Sequence, residues 1–200
     1  MHQNSLLLFE RYAKAFFAPT ARVLEIGPNI FPSDYCRMSG IPVEQWDTLD
    51  LRNDPRLTYP NAPEYHYPIA ENTYDIVISG QVMEHVRKIW RWVRELERIC
   101  KPGGHVIIIC AVSWPYHAGP VDCWRIYPEG MKALLEDHTS LEIVECRCES
   151  LETPQYKRHT PGRSLEWMNP KLRWFYRIAG KFGFPVECSY DLLTIAKKRT

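Results

Sequence analysis

Residues 74–112 read YDIVISGQVMEHVRKIWRWVRELERICKPGGHVIIICAV, and this stretch decides the fold. Tyr74–Ser79 is a short apolar run rich in β-branched residues, and Gly104–Val112 is the most apolar run of the chain. Both suit strands buried on two faces. Between them Val82, Val86, Ile89, Val93, Leu96 and Cys100 recur in steps of three and four. Arg87, Lys88, Arg91, Arg94, Glu95 and Arg98 take the opposite side, so the spacing predicts a helix over 81–100. Lys101-Pro102-Gly103-Gly104 stops it, because proline cannot continue a helix and glycine permits the turn. A strand, a crossover helix and a second strand make a parallel unit.

The same alternation extends in both directions. Ser5–Phe17 is a helix candidate, while Arg22–Gly27 and Val43–Leu51 read as strands. Downstream, Pro128–Asp137 suits a helix with proline in its first turn and Glu129 favourable to its dipole. Leu141–Ser150 and Ser189–Lys197 are two further strands. The expectation is one α/β domain over residues 1–200, a doubly wound and mostly parallel sheet with helices on both faces. Residues 151–188, rich in proline and aromatics, form an insertion before the last strand.

Composition excludes several classes. Hydrophobic residues make up 45% and charged residues 24% of 200, as in an ordinary globular protein. A formal net charge of +1 gives no field to gather nucleic acid or an anionic membrane. The first residues, interrupted by Glu10, Arg11 and Lys14, do not read as a signal peptide, and no run approaches the roughly 20 apolar residues of a membrane span. Seven cysteines, an odd number set mostly in apolar runs, point to reduced core thiols and a cytoplasmic location. Cys146 and Cys148 lack the paired C-x-x-C clusters of a zinc site, so no metal is expected.

Val23-Leu24-Glu25-Ile26-Gly27-Pro28-Asn29 places a glycine at the carboxyl end of a buried strand, where open α/β sheets bind ligands and a ligand can approach the backbone. A plain strand-to-loop transition would read the same way. Glu25 in a buried strand needs hydrogen-bond donors, from nearby groups or from a cationic ligand. Asp50 lies 23 residues after Gly27 at the end of the second strand, where nucleotide-binding folds hold a ribose; Asp47 and Asp54 compete with it.

Taken together, VLEIGPN, WDTLDL, YPIAENTYDIVISGQVMEHV and LERICKPGGHVIII resemble, in order and spacing, the motif blocks of class I S-adenosylmethionine-dependent methyltransferases, of the type 11-like kind. They cover residues 22–112. The resemblance departs in the first loop, where Pro28-Asn29 replaces further glycines and Pro28 offers no N–H. It implies a seven-stranded sheet of order 3-2-1-4-5-7-6 and S-adenosyl-L-methionine as cofactor. Carried over, Glu25 and Gly27 lie by the methionine end and Asp50 at the ribose, with Asn29 and Leu51 also among the cofactor-binding residues. Ser79, Gly80 and Gln81 pass beneath the cofactor, His85 approaches the cleft or holds a structural hydrogen bond, and Tyr67-Pro68-Ile69 lies near the adenine.

A second block, His117-x-x-Pro120-x-Asp122-x-Trp124-Arg125-x-x-Pro128-x-Gly130, resembles a stretch that follows the fifth strand in a subset of these enzymes, several of them associated with glycan or surface-polymer synthesis. His117 then suits a general base with Asp122 orienting it; a structural Asp122–Arg125 ion pair accounts for the same residues. The implied activity is O- or N-methylation of a small-molecule or glycan-type acceptor, anionic or sugar-like, without nucleic acid, with a homodimer as a candidate assembly. A non-catalytic binding module of the same fold is the alternative, supported by the shortened glycine loop. A nicotinamide-dependent oxidoreductase is disfavoured, since it would want the three glycines of G-x-G-x-x-G. Within 157–184, seven Lys and Arg face only Glu166 and interleave with aromatics such as Trp167 and Trp174. They suggest either an anion-binding acceptor surface or an amphipathic helix.

Overall fold

The computed structural model describes residues 3–114, 116–151, 174, 178 and 190–200. Helix α1 (Gln3–Leu8) runs on through a π-turn at Phe9–Ala13 and a 3₁₀ turn at Lys14–Phe16. Then come β1 (Val23–Ile26), α2 (Asp34–Ser39), β2 (Trp46–Leu49), β3 (Tyr74–Gly80), α3 (Ile89–Ile99), β4 (Cys100–Ser113), α4 (Pro128–His138), β5 (Leu141–Glu149) and β6 (Tyr190–Lys198).

The described residues form one sheet of order β2-β1-β3-β4-β6-β5. β1 to β4 are parallel, and β6 runs antiparallel between β4 and β5. Six strands are present there rather than the expected seven. The missing edge strand has a physical reason: after β2 the chain carries Pro55, Pro60, Pro63 and Pro68, which cannot donate to a ladder. What remains is an isolated parallel bridge between Leu49 and Tyr59.

Successive strand residues face opposite sides and build two cores. Leu24, Val77, Val106 and Ile108 pack with Trp92 and Leu96 of α3 and with Met131 and Leu135 of α4. Val23, Ile76, Ile78, Ile107 and Ile109 pack on the other face with Leu8, Phe9 and Tyr35. Helix α2 had no sequence signature in the reading above. Its Ser33 cap accepts from Cys36 N at 3.1 Å, and Gly40 at φ 76° ends it. α3 starts at Ile89, later than expected, because Met83–His85 forms a separate 3₁₀ turn. Glu95 is also not on the solvent side: it is buried, accepts from Tyr67 N at 2.6 Å and pairs with Arg98 at 2.6 Å.

A buried polar network joins distant elements at the carboxyl end of the sheet. Asp191, wholly buried on β6, accepts from Asn4 Nδ2 at 3.0 Å, Ser5 Oγ at 3.3 Å and Gln81 Nε2 at 3.1 Å. Gln81, with φ 59°, is a non-glycine residue in the left-handed region directly after β3.

Candidate active site

At the carboxyl ends of β1, β2 and β3 lies a cleft of about 540 Å³, lined among others by Gly27, Asp50, Leu51, Tyr67, Gln81 and His85. Gly27 has φ 71°, and a Cβ there would sit 2.4 Å from Val82 Cγ2. Glycine is therefore required by both backbone and packing. Asp50 faces the cleft and is held from behind by Arg52, whose guanidinium reaches its carboxylate at 2.6 Å and Pro28 O at 2.7 Å. Each carboxylate oxygen keeps acceptor capacity for a ligand.

Four expected cofactor residues have partners or packing roles of their own within the protein. Glu25 does not line the cleft; its carboxyl is buried and accepts from Ser33 Oγ and from Trp46 Nε1, the latter at 2.8 Å. Asn29 donates to Asp34 at 2.9 Å outside the cleft. Gly80 is needed for packing, since a Cβ there would come 2.4 Å from Tyr35 Oη. Ser79 lies buried beside it. Even so, Tyr35 Oη, Ser79 Oγ and Gln81 Oε1 are buried polar atoms with no hydrogen-bond partner among the described residues.

The second sequence block folds onto the first at the far rim. Cys123 N donates to Glu84 O at 2.7 Å, Trp124 Nε1 to Val86 O at 2.8 Å, and His85 Nδ1 lies 2.5 Å from Val121 O. His85 and His117 meet edge to face at 5.0 Å. Asp122 accepts from His117 N at 2.8 Å and stands 3.4 Å from His117 Nδ1. Arg125 grips it bidentately at 2.5 and 2.8 Å, which holds the carboxyl well below the usual carboxylate range. Asp122 thus pairs with Arg125 and also stands beside His117. Glu84, 1% exposed, has its carboxyl pushed up to about 7 by burial.

Residues 43–108 match the model of a methyltransferase domain family. An uncharacterized methyltransferase of Mycobacteroides abscessus is 44% identical over 55 residues, 28% of this chain and 21% of that protein. An S-adenosylmethionine-dependent methyltransferase structure from Archaeoglobus fulgidus superposes with a TM-score of 0.61 at 16% identity, covering 96% of this chain and 92% of that one. Residues 43–108, a third of the chain, thus resemble a methyltransferase domain, and the chain shares the fold of solved S-adenosylmethionine-dependent methyltransferases. A Haemonchus contortus phosphoethanolamine N-methyltransferase, solved with phosphomonomethylethanolamine and S-adenosylhomocysteine, shares the fold over 98% of this chain and 53% of its own, with a TM-score of 0.61 at 16% identity. The sequence match spans about a fifth of the Mycobacteroides relative's length.

Two residues of the site escaped sequence reading. Arg52 was masked by the common Asp-x-Arg turn, and only the structure shows it bridging Asp50 to Pro28 O. Glu84 was visible as half of an E-H pair, but its burial was not. The basic segment 157–184 lies outside the described residues, apart from Trp174 and Ile178.

The buried Glu25 gives the protein a pH-dependent stability. Burial pushes its carboxyl from 4.5 up to about 7, partly offset by the bonds from Ser33 and Trp46. The folded state therefore holds a proton that the unfolded chain releases. This contribution is fully present below about pH 4.5 and is lost as pH rises through about 7, on the order of 3 kcal/mol in all. Denaturant unfolding at pH 5 and pH 8 is expected to show that loss in the wild type and a flatter profile in Glu25→Gln. Equal slopes in the two proteins would remove Glu25 as its source.

Proposed function

We propose that this chain transfers a methyl group from S-adenosylmethionine to an oxygen or nitrogen of a small-molecule or glycan-type acceptor. The observation that carries the reading is the cleft at the sheet's carboxyl edge, floored by Gly27 and walled by Asp50. Gln81, one of its lining residues, has a buried Oε1 with no hydrogen-bond partner among the described residues. Such an atom is costly unless a ligand or water satisfies it, and an amino-acid moiety with both donors and acceptors suits it. Asp50 suits the ribose hydroxyls, and Tyr67 with Trp92 gives the cleft an aromatic wall for a purine.

Bound S-adenosylmethionine supplies a methyl group on a sulfonium, an electrophile that needs little activation. The chain's own part is to align the acceptor and take its proton. We assign the proton to His117, oriented by Asp122, at the rim formed by His85, Gly119 and Pro120. A small phosphorylated amine sits in the Haemonchus enzyme of the same fold, which supports a compact, polar acceptor here. Three groups that serve proton transfer or orientation at one rim favour catalysis over the binding-module alternative.

Calorimetry with S-adenosylmethionine, S-adenosylhomocysteine and NAD tests the cofactor. The expected result is binding of the first two and far weaker binding of NAD. Asp50→Ala should weaken S-adenosylmethionine binding by about 1.5–3 kcal/mol, the range for hydrogen bonds to a charged acceptor. A wild-type chain that binds neither sulfonium nor thioether would overturn the assignment.

A further inference from the structure

Glu84, His85 and His117 each present a ligand-type atom at the rim of the cleft, and those atoms all lie within 4.8 Å of one another. Glu84 is 1% exposed, yet neither of its carboxylate oxygens has a hydrogen-bond partner among the described residues. A buried carboxylate with nothing to accept from is expensive, and a fold that keeps one implies a cationic partner. The Arg125 guanidinium acts on Glu84 through space but donates no hydrogen bond to its oxygens. Arg125 grips Asp122 bidentately and also donates to Trp114 O at 3.1 Å.

We propose that Glu84, His85 and His117 bind one divalent transition-metal ion of zinc-like preference, leaving an open position toward the acceptor end of the cleft. Two imidazoles and a carboxylate suit borderline cations rather than magnesium or calcium, which prefer all-oxygen sites. The groups behind the ligands fit as well. His85 Nδ1 lies 2.5 Å from Val121 O, which can only accept, so Nδ1 carries the hydrogen and Nε2 the lone pair. Asp122 stands 3.4 Å from His117 Nδ1 in the carboxylate–imidazole arrangement that orients metal ligands.

The three ligands are unequally fixed. Glu84 and His85 share the 3₁₀ turn at Met83–His85, pinned by the Cys123 N bond to Glu84 O. His117 lies on an exposed loop, with 41% of its side chain accessible. Zinc–ligand distances of about 2.1 Å put tetrahedral donors about 3.4 Å apart, so the loop must close by roughly 1 Å. Cysteine-based reading of the sequence expected no metal, and 32 residues separate His85 from His117. Only the fold brings them together.

This site deepens the methyl-transfer reading and rests on it for its use. An ion here would favour acceptors that offer it an oxygen, such as a hydroxyl beside a second oxygen in a sugar or hydroxy acid. In the ion-free chain His117 takes the acceptor's proton; with the ion bound, its lone pair is committed to the metal. The cation then acidifies the acceptor hydroxyl, whose proton leaves to water.

The test uses the untagged chain, stripped with a chelator and titrated calorimetrically with Zn²⁺ alone. One ion per chain is expected. Glu84→Gln, which keeps shape and loses charge, and His117→Ala, on an exposed loop, should each lower affinity at least 10-fold. Asp122→Asn should lower it about 10–100-fold through the orienting bond. His66→Ala, whose side chain is 82% exposed, should leave it unchanged. Co²⁺ should give the visible absorption of a four- or five-coordinate ion in the wild type and lose it in His117→Ala. Absence of stoichiometric Zn²⁺ binding, or undiminished binding in both ligand variants, would overturn the site. A parallel titration with S-adenosylmethionine separates the two readings: failure there strikes the cofactor assignment and leaves the Zn²⁺ result standing.

Discussion

Turnover of the His117→Ala variant is expected to fall by about 10²–10⁴-fold, the usual contribution of a positioned proton acceptor, while S-adenosylmethionine affinity stays unchanged. The separation follows from geometry. His117 meets His85 and Asp122 at the rim, whereas Gly27, Asp50 and Tyr67 line the cofactor end of the cleft. Its side chain is 41% exposed, so little core is lost. Asp122 keeps its bidentate partner Arg125, and the bonds from Cys123 and Trp124 to residues 84 and 86 still hold the loop. Transfer of labelled methyl to an accepted substrate, per folded molecule, measures the effect. A variant that loses stability but keeps turnover would make His117 structural.

The second large effect is on stability. Trp92→Ala should destabilise the fold by about 3–5 kcal/mol, the range for truncating a large buried aromatic. Trp92 is 1% exposed on the inner face of α3, where its Nε1 also donates to Tyr67 Oη at 2.9 Å. Its removal leaves a cavity under the cleft and a buried hydroxyl without its donor. Trp90, two residues earlier, is 39% exposed and touches Trp124 edge to face at 6.4 Å. Trp90→Ala should cost only about 0.5–1.5 kcal/mol. Urea unfolding of the pair checks both. Similar losses would mean that the helix is rotated from the face described here.

That contrast shows how much the sequence could tell. Periodicity over 81–100 located the inner face of α3 through Val93 and Leu96, because a three-and-four spacing has one geometric solution. Strands β1, β3 and β4 were legible for a similar reason: they are apolar runs bounded by breakers. The edge strand was not, since family pattern outweighed the prolines at 55, 60, 63 and 68. Glu25 shows a different limit. A carboxylate in a buried strand must find donors, but nothing local says whether they come from a ligand or from Ser33 and Trp46 on neighbouring elements. Glu84 and His117 were individually visible, yet their meeting depends on the 121–124 loop folding back on residues 84–86.

The position of β6 constrains how the domain can be assembled or cut. Among the described residues β5 pairs with β6 alone, which pairs with β4 on its other side. Until residues 190–198 are in place, β5 has no backbone partner in the sheet. Gln81 at the cleft also lacks the Asp191 carboxylate that holds its side chain. A chain interrupted before residue 190 would therefore lose two strands and the anchor of its switch-point residue together. Contacts across more than a hundred residues are slow to form during folding, so the cleft is completed only once residues 190–198 have joined the sheet.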